Sequence, residues 1–263
     1  MLKKVRKGVL FILHYFGFYP EQLVTNLAGI PWVWSDYTKL KKQNKKTGGS
    51  VKFGVPIPYF KDKNDTSGNL SGHYFHQDLV VAQKIFKNTP VKHVDIGSRT
   101  DGFVTHVASY RNIEVLDIRE SSAQVPNITF IQADLMSNDK KWIDYTDSVS
   151  CLHVIEHFGL GRYGDSIDID GHWKGLNNIH KLLKPSGKFY FSTPIGPEKI
   201  HFNAHRVFNL STLRDYFLDL YTIDDFSYVD DHGTHHAPVK ITDGLSNNFN
   251  CRFGCGIFEL TKK

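Results

Sequence analysis

The spacing of apolar and polar positions changes character near residue 91. From there, short apolar runs alternate with helical segments, and residues 73–87 immediately before them form a further amphipathic helix. The predicted strands are 91–96, 113–118, 128–132, 148–153, 188–192, 226–229 and 256–260, and the predicted helices are 73–87, 103–110, 172–183 and 210–218. Strands separated by helices indicate parallel pairing with right-handed crossovers. We therefore predict an α/β fold, a Rossmann-like, mostly parallel sheet of seven strands with helices on both faces.

The N-terminal part of the chain has a different pattern. Residues 1–40 are helical and apolar in character, and the polar stretch 41–50 is typical of a linker. Residues 51–72 contain prolines and glycines and predict a loop. These patterns predict a helical extension with its linker over residues 1–50 and the main domain over residues 51–263.

The charge of the chain is concentrated at this end. The net charge is +5, yet residues 1–46 hold nine lysines and arginines against Glu21 and Asp36, so the remainder is slightly acidic. An extended basic surface for binding nucleic acid is therefore not expected. The cysteines Cys151, Cys251 and Cys255 do not form the framework of a disulfide-rich or zinc-binding domain, which favours a reduced, cytoplasmic protein.

The first 18 residues predict a membrane-surface helix. Four basic residues (Lys3, Lys4, Arg6 and Lys7) precede the apolar run 8–18, which is too short to span a bilayer and is followed by no small-residue cleavage site. Such a helix can place its basic residues on anionic lipid, at the inner face of the cytoplasmic membrane. The alternatives are that it packs on the protein's own core or on a second subunit.

Acidic residues and glycines occur where the predicted strands end. Gly97 and Gly102 follow the first strand and permit a tight turn with close backbone approach to a ligand. Asp117 ends the second strand, where a carboxylate can accept hydrogen bonds from ribose hydroxyls, and Asp134 follows the third. The order and spacing predict an adenosine-bearing cofactor, although the glycines depart from the dinucleotide pattern. The alternative is that both acids only solvate strand ends.

The motifs together resemble the class I S-adenosylmethionine-dependent methyltransferases over residues 73–218. The resemblance is carried by the segments 94–102 (VDIGSRTDG), 116–117 (LD), 152–157 (LHVIEH), 182–188 (LLKPSGK) and 192–194 (STP). The segments 72–78 (GHYFHQD) and 158–165 (FGLGRYGD) resemble a poorly characterised branch of that family, encoded among bacterial surface-polysaccharide genes.

The resemblance implies S-adenosylmethionine as cofactor and assigns residues to it. Gly97 with its neighbours would hold the methionine end, Asp117 the ribose, and Asp134 with Leu135 the adenine. Ser98 and Arg99 depart from the family, which has a second glycine nearby, so Arg99 would either obstruct or clamp the methionine carboxylate. His76 would contact the amino-acid part or be a half-buried structural histidine. The predicted cofactor-binding residues are Gly97, Ser98, Arg99, Gly102, Asp117, Asp134, Leu135 and His76.

Methyl transfer to a hydroxyl needs a positioned acceptor and a base, and histidine has a suitable pKa. We predict His157 as the base, with Glu156 either orienting it or binding the acceptor, and His153 beside it. His205 is a second candidate, with Arg206 as an anion contact. The alternative for residues 153–157 is a turn that only stabilises the junction after the fourth strand.

The insert 158–173 combines aromatic residues and carboxylates. Tyr163, His172 and Trp173 suit stacking on a sugar, or they form a plain lid. Its carboxylates and a later histidine group are weaker candidates for a metal: Asp165, Asp168, Asp170, His232, His235 and His236. Because such loops are usually solvated, we assign no metal.

We therefore predict an O-methyltransferase acting on a small-molecule sugar or glycan intermediate of surface polysaccharide synthesis. No nucleic-acid partner is expected, and a homo-oligomer remains open. Two rival functions are a catalytically degenerate scaffold of the same fold at the membrane, and a nucleotide-dependent sugar oxidoreductase or epimerase. The glycine pattern disfavours the oxidoreductase.

Overall fold

A computed structural model of the chain describes residues 2–65, 67–68 and 70–263, including their side chains except those of residues 2–7 and 64. The chain divides into two units, Met1–Asn69 and Leu70–Lys263. The predicted lipid contacts of Lys3, Lys4, Arg6 and Lys7 lie outside the described side chains.

The first unit contains two helices, α1 (Leu2–Tyr15) and α2 (Pro20–Lys46). Because α2 continues to Lys46, the predicted linker from residue 41 is wrong for its first part. None of the described helices has both the length and the apolar character needed to cross a bilayer.

The loop after α2 belongs to this first unit. Phe60 packs so closely on Gly29 that a Cβ atom at this glycine would lie 2.3 Å from the Phe60 ring. The Asn44 side chain donates to the Val51 carbonyl at 2.9 Å, and Lys63 lies 4.4 Å from the centre of the Trp32 ring. These contacts explain why the boundary between units falls after residue 69, later than the domain boundary predicted after residue 50.

The second unit is built on a sheet of eight strands in the order β3-β2-β1-β4-β5-β10-β8-β9. Its strands are β1 (His93–Ile96), β2 (Ile113–Asp117), β3 (Ile128–Gln132), β4 (Thr146–Leu152), β5 (Leu183–Ile195), β8 (Tyr221–Val229), β9 (His235–His236) and β10 (Gly254–Lys262). The first five strands pair with their neighbours in parallel, whereas β10 runs antiparallel to both β5 and β8. The predicted α/β sheet is confirmed, with all seven predicted strands present and β9 as a short addition.

The helices of this unit are α3 (His73–Asn88), α4 (Thr105–Ala108), α5 (Gly171–Leu182) and α6 (Leu210–Leu220). Alternate strand residues belong to two different buried clusters, as expected for a sheet covered on both faces. Cys151 packs in the cluster that contains α5 and α6, and the next residue, Leu152, packs in the cluster that contains α3 and α4.

Three local features differ from the sequence prediction. The helix predicted at 103–110 begins as the end of a π-helical turn, Thr100–Val104, and only the four residues of α4 are α-helical. β5 begins at Leu183, five residues before the predicted strand 188–192, and includes the last residue of the predicted helix 172–183. A separate hairpin joins β6 (Lys199–His201) to β7 (His205–Val207). Strands of three residues are too short for an alternation pattern to reveal them.

A buried polar network links β1 to β4. His93 contacts the hydroxyl of Ser148 through Nδ1 at 2.7 Å and that of Ser150 through Nε2 at 3.1 Å. The Ser150 hydroxyl donates to Asp95 Oδ1 at 2.6 Å. Asp95 also accepts from the backbone N–H and the hydroxyl of Ser98, at 2.8 and 2.7 Å. The carboxyl group thereby fixes the turn that follows β1.

Burial raises the pKa of Asp95 to about 6, although the hydrogen bonds from Ser150 and Ser98 act to lower it. A carboxyl whose pKa is higher in the folded than in the unfolded chain contributes most stability at low pH, and the contribution is lost as the pH rises through the folded value. Between about pH 4.5 and about pH 7 this loss amounts to roughly 2 kcal/mol.

We expect Asp95→Asn to remove this dependence. The variant should be less stable than the wild type both at about pH 4.5 and at about pH 7, because one acceptor of the network becomes a donor. The difference in unfolding free energy should be smaller near pH 7, because there the wild type has lost the contribution of protonated Asp95. Urea unfolding of both proteins at the two pH values measures this difference in unfolding free energy. Asp219→Asn, at an exposed carboxyl in α6, is the control. An equal deficit at both pH values would contradict the assignment.

Candidate active site

The turn after β1 leaves its backbone open to a ligand. Gly97 has a φ of +60°, and a Cβ atom there would lie 3.0 Å from Val154 Cγ1 and 3.8 Å from Asp117 Oδ2. Ser98 is turned inward and buried, where its hydroxyl bonds to Asp95 and accepts from the Leu152 N–H at 3.3 Å. The serine that departs from the methyltransferase pattern therefore does not fill the turn.

Arg99, the second departure, is held at the rim. Its guanidinium group donates to Asp101 Oδ2 at 2.9 Å and lies 5.0 Å from the centre of the Tyr74 ring. In this position it neither obstructs the Gly97 backbone nor is buried, since more than half of its side chain is exposed. A carboxylate ligand at the turn has this cation within reach.

The two acids at the strand ends are half-buried. Asp117, the last residue of β2, forms a bidentate pair with Arg119, with distances of 2.9 Å to Nε and 2.7 Å to Nη2. Asp134 accepts from the Met136 N–H at 2.8 Å and from the Ser137 hydroxyl at 3.2 Å. A diol at Asp117 would therefore compete with Arg119, a residue that the sequence analysis did not single out.

One cavity of about 410 Å³ joins these groups at the carboxyl ends of the parallel strands. This volume is within the range of sites that hold small ligands and cofactors. The predicted site residues that line it are Gly97, Ser98, Arg99, Asp117, Asp134, Leu135, His153, Glu156, His157 and His205.

Gly102 and His76 are not among the lining residues. A Cβ atom at Gly102 would lie 2.6 Å from Asp78 Oδ2, so the glycine permits close packing of the π-helical turn on α3. The His76 ring stacks on His235 at 5.3 Å. These contacts give both residues a packing role instead of the predicted cofactor contact.

His153 and Glu156 form a buried pair at the end of β4. His153 has a φ of +55°, and its Nδ1 lies 2.7 Å from Glu156 Oε1. Burial by itself lowers the pKa of His153, but the neighbouring Cys255 and Glu156 side chains raise it well above its usual range. Burial raises the pKa of Glu156, but His153 outweighs it and the net shift is downward. Glu156 therefore orients His153, not His157 as predicted.

His157 is held in one tautomer by a backbone carbonyl. Its Nδ1 lies 2.6 Å from the Ala204 oxygen, which also accepts from Arg162 Nη1 at 3.0 Å. Because a carbonyl only accepts, Nδ1 carries the proton and Nε2 keeps its lone pair. Burial lowers the pKa of His157, with the Arg162 charge acting in the same direction and Glu156 opposing it. The imidazole can serve as a base near neutral pH.

The β6–β7 hairpin contributes His205 and Arg206. The His205 ring lies 4.8 Å from the Phe253 ring at the cavity wall, and burial lowers its pKa. Arg206 is buried and donates to the carbonyls of Phe158 and Ile169. The predicted anion contact of Arg206 is wrong, because its guanidinium group is engaged in holding the insert.

The insert satisfies its own carboxylates. Asp165 accepts from the N–H groups of Gly159 and Gly161 at 2.8 and 3.1 Å, and Asp168 pairs with Lys174. Of the three aromatic residues predicted to stack on a ligand, only Tyr163 lines the cavity, with its ring 4.6 Å from the Arg119 guanidinium group.

The other two aromatic residues of the insert pack inward. The rings of His172 and Trp173 lie 5.5 and 6.5 Å from that of Phe208. They support α5 and cannot form a sugar platform. His73, Tyr74, Arg162 and Phe253 line the cavity instead. His73, Tyr74 and Arg162 lie in the segments 72–78 and 158–165 that resemble the family, but no role was predicted for any of the four, because tertiary packing brings them to the site.

The predicted metal candidates are dispersed. His236 pairs with Asp230 at 2.8 Å, and His235 stacks on His76. Among the described residues, one group has three metal-type ligand atoms close together, and it consists of His73, His153 and Cys255.

Solved structures share this fold. The 1,6-didemethyltoxoflavin N1-methyltransferase of Burkholderia thailandensis, crystallised with its substrate and S-adenosylhomocysteine, is 14% identical, with a TM-score of 0.50 over 71% of this chain and 78% of that one. The N-methyltransferase NodS of Bradyrhizobium japonicum, in complex with S-adenosylhomocysteine, is 10% identical, with a TM-score of 0.47 over 73% and 88%. The likeness to the Burkholderia enzyme shows the fold of the class I methyltransferases.

Sequence comparisons identify the family. No curated protein matches the chain. The family described as "Caenorhabditis protein of unknown function, DUF268" matches residues 104–242, which is more than half of the chain and includes most of the strands that surround the cavity. The chain belongs to this family.

Proposed function

We propose that the chain is an S-adenosylmethionine-dependent O-methyltransferase whose acceptor is a small hydroxyl compound, a sugar or glycan intermediate of surface polysaccharide synthesis. The observation that carries the proposal is the single cavity that joins the open turn at Gly97 to His157, whose Nε2 keeps its lone pair. The Burkholderia enzyme of the same fold was crystallised with S-adenosylhomocysteine.

The residues at one end of the cavity fit this cofactor. The backbone at Gly97 offers space that a side chain would fill. Asp117 offers a carboxylate to the ribose hydroxyls once Arg119 yields, and the half-buried Asp134 with Leu135 lines the place for the adenine. Arg99 at the rim offers a cation to the methionine carboxylate.

Bound S-adenosylmethionine supplies a methyl group on a sulfonium. In such a transfer the acceptor oxygen would take the methyl group as the carbon–sulfur bond breaks, and His157 Nε2 would accept the hydroxyl proton. The Ala204 carbonyl holds the imidazole in the required tautomer, and Arg162 donates to the same carbonyl. The protein thus contributes orientation and a proton acceptor.

The cavity also has features of a sugar site. The rings of Tyr74, Tyr163 and Phe253 line it and offer apolar faces to the C–H face of a sugar. Arg162 offers a cation to a phosphate or carboxylate on the acceptor. These residues favour a phosphorylated or acidic sugar.

We expect Asp117→Ala to weaken S-adenosylhomocysteine binding about 10- to 100-fold, because hydrogen bonds between hydroxyls and a carboxylate are lost. Arg119→Ala should bind at least as tightly as the wild type, since it frees the Asp117 carboxylate. Calorimetric titration measures both constants, with Asp139→Asn as the control at an exposed carboxyl.

Equal affinity of Asp117→Ala and the wild type would contradict this cofactor site. Absence of binding at millimolar S-adenosylmethionine and S-adenosylhomocysteine, in a wild-type sample shown to be folded by circular dichroism, would instead support the scaffold function.

We expect His157 to titrate below the usual range of about 6.5 and to carry its proton on Nδ1. Nitrogen-15 spectra of the imidazoles measure both properties, and His157→Asn, which keeps a donor for the Ala204 carbonyl, identifies the signals. Methyl transfer to a panel of nucleotide sugars should fall about 100-fold or more in this variant. His106→Asn, on the exposed face of α4, is the control.

A proton on Nε2, or a His157 pKa above the usual range, would remove this residue as the base. In that case His205, which also lines the cavity and whose pKa is lowered by burial, would be the next candidate for the base.

We also propose that α1 binds the membrane surface at its cytoplasmic face. Exposed apolar residues support this proposal, since Phe11 is 69% and Phe16 80% exposed. The basic residues of the same helix are suited to anionic lipid.

The full chain should co-sediment with vesicles that contain phosphatidylglycerol, and less with neutral vesicles or at high salt. Replacing both Phe11 and Phe16 by Ser should reduce binding at least tenfold, since each buried aromatic ring contributes about 1.5–3 kcal/mol. Phe202→Ser, at a residue 73% exposed in the β6–β7 hairpin, is the control. Unchanged co-sedimentation of the double variant would contradict the proposal.

A further inference from the structure

We propose that His73, His153 and Cys255 bind a divalent transition metal ion, zinc in the first instance. One ligand atom from each residue lies within 4.8 Å of those from the other two. The residues come from three separate elements, since His73 opens α3, His153 follows β4 and Cys255 lies in β10. The fold itself assembles the group.

The buried imidazole of His153 has one nitrogen engaged and one free. Its Nδ1 lies 2.7 Å from Glu156 Oε1, whereas Nε2 makes no hydrogen bond of standard geometry among the described residues, and the Cys255 side chain is the other polar group that interacts with the ring. An unsatisfied nitrogen in a side chain that is only 5% exposed is costly unless something binds it. Metal-binding histidines commonly donate their other N–H to a carboxylate, which orients the ring and makes the ligand more basic.

The His73 ring is aligned with that of His153. The centres of the two rings lie 5.1 Å apart with an interplanar angle of 13°. The Phe253 ring also packs on His73, with 5.4 Å between the ring centres. The lone pairs of stacked imidazoles lie in parallel planes, so His73 would turn about its side-chain bonds to reach an ion bound to His153. The ligand atoms already lie within 4.8 Å of one another.

Cys255 supplies a soft ligand from inside the sheet. Its side chain is fully buried, and its thiol donates to Gln77 Oε1 at 3.7 Å, an oxygen that the Ser192 hydroxyl also contacts. The thiol loses its proton when it ligates a metal, and His153, whose pKa is raised, must also give up the proton of its imidazolium form to become a ligand. Two imidazole nitrogens and one thiolate form a donor set that suits zinc.

Three protein ligands leave the fourth position of a tetrahedral zinc ion for water or substrate. Both His73 and His153 line the cavity, whereas Cys255 does not, so the free position faces the cavity. A consequence that rests on the proposed function is that an acceptor hydroxyl bound there would lose its proton to His157 more readily. The existence of the site does not depend on methyl transfer.

The experiment is titration of the full chain, freed of metal with a chelator, with cobalt(II) chloride as a spectroscopic probe. We expect one equivalent to bind with a thiolate-to-cobalt charge-transfer band and the visible bands of four-coordinate cobalt, both removed by zinc chloride. Cys255→Ser should lose the charge-transfer band. Cys251→Ser, at a second buried cysteine outside the group, should keep it.

Glu156→Gln should keep the band but weaken cobalt binding about 10- to 100-fold, as expected for a partner that orients a ligand. No charge-transfer band in the wild type, or the same band in Cys255→Ser, would overturn the proposal, and the wild-type result does not depend on any variant folding. S-adenosylhomocysteine titration of the same samples reports separately on the proposed cofactor site.

Discussion

The carboxyl group of Asp95 determines how the site is arranged. It receives three hydrogen bonds inside the sheet, from the Ser98 N–H and from the hydroxyls of Ser98 and Ser150. The chain turns immediately after β1, and Gly97 comes to the surface with its backbone exposed to the cavity. Without an acceptor at this place, two hydroxyls and one N–H would be buried unsatisfied, which costs more than the net gain of any single bond. The turn that follows β1 is therefore stabilised by buried polar groups on its inner side.

The strand ends divide the cavity into two chemical regions. Asp117 and Asp134 give one region half-buried carboxylates. The other region contains several histidines in different states, because each has a different hydrogen-bond partner. Glu156 stabilises a proton on His153, whereas a carbonyl fixes the tautomer of His157 and burial favours its neutral form. One short segment after β4 thus presents two imidazoles with opposite protonation tendencies.

The sheet could be predicted well from the sequence because the spacing of apolar residues and the order of strands and helices along the chain are local properties. All seven predicted strands form, and ten predicted site residues meet at one cavity, since parallel strands end at the same edge. The errors concern side chains whose partners are distant in sequence. Arg206 has the composition of an anion site but binds the carbonyls of the insert. The pairing of Asp117 with Arg119 spans two positions, yet only the path of the loop after β2 decides it. The approach of Cys255 to His73 depends on the position of β10 in the sheet, which no local pattern encodes.

The position of β10 also determines the order in which the sheet can be completed. β10 pairs along its length with β5 on one side and β8 on the other, although both of these strands precede it in the chain. During synthesis, β8 emerges from the ribosome without the neighbour that joins it to the parallel strands. The segment from α6 to β9 must therefore wait, with one strand edge exposed, until β10 is translated. A truncation that removes β10 would split the sheet in the middle instead of shortening its edge.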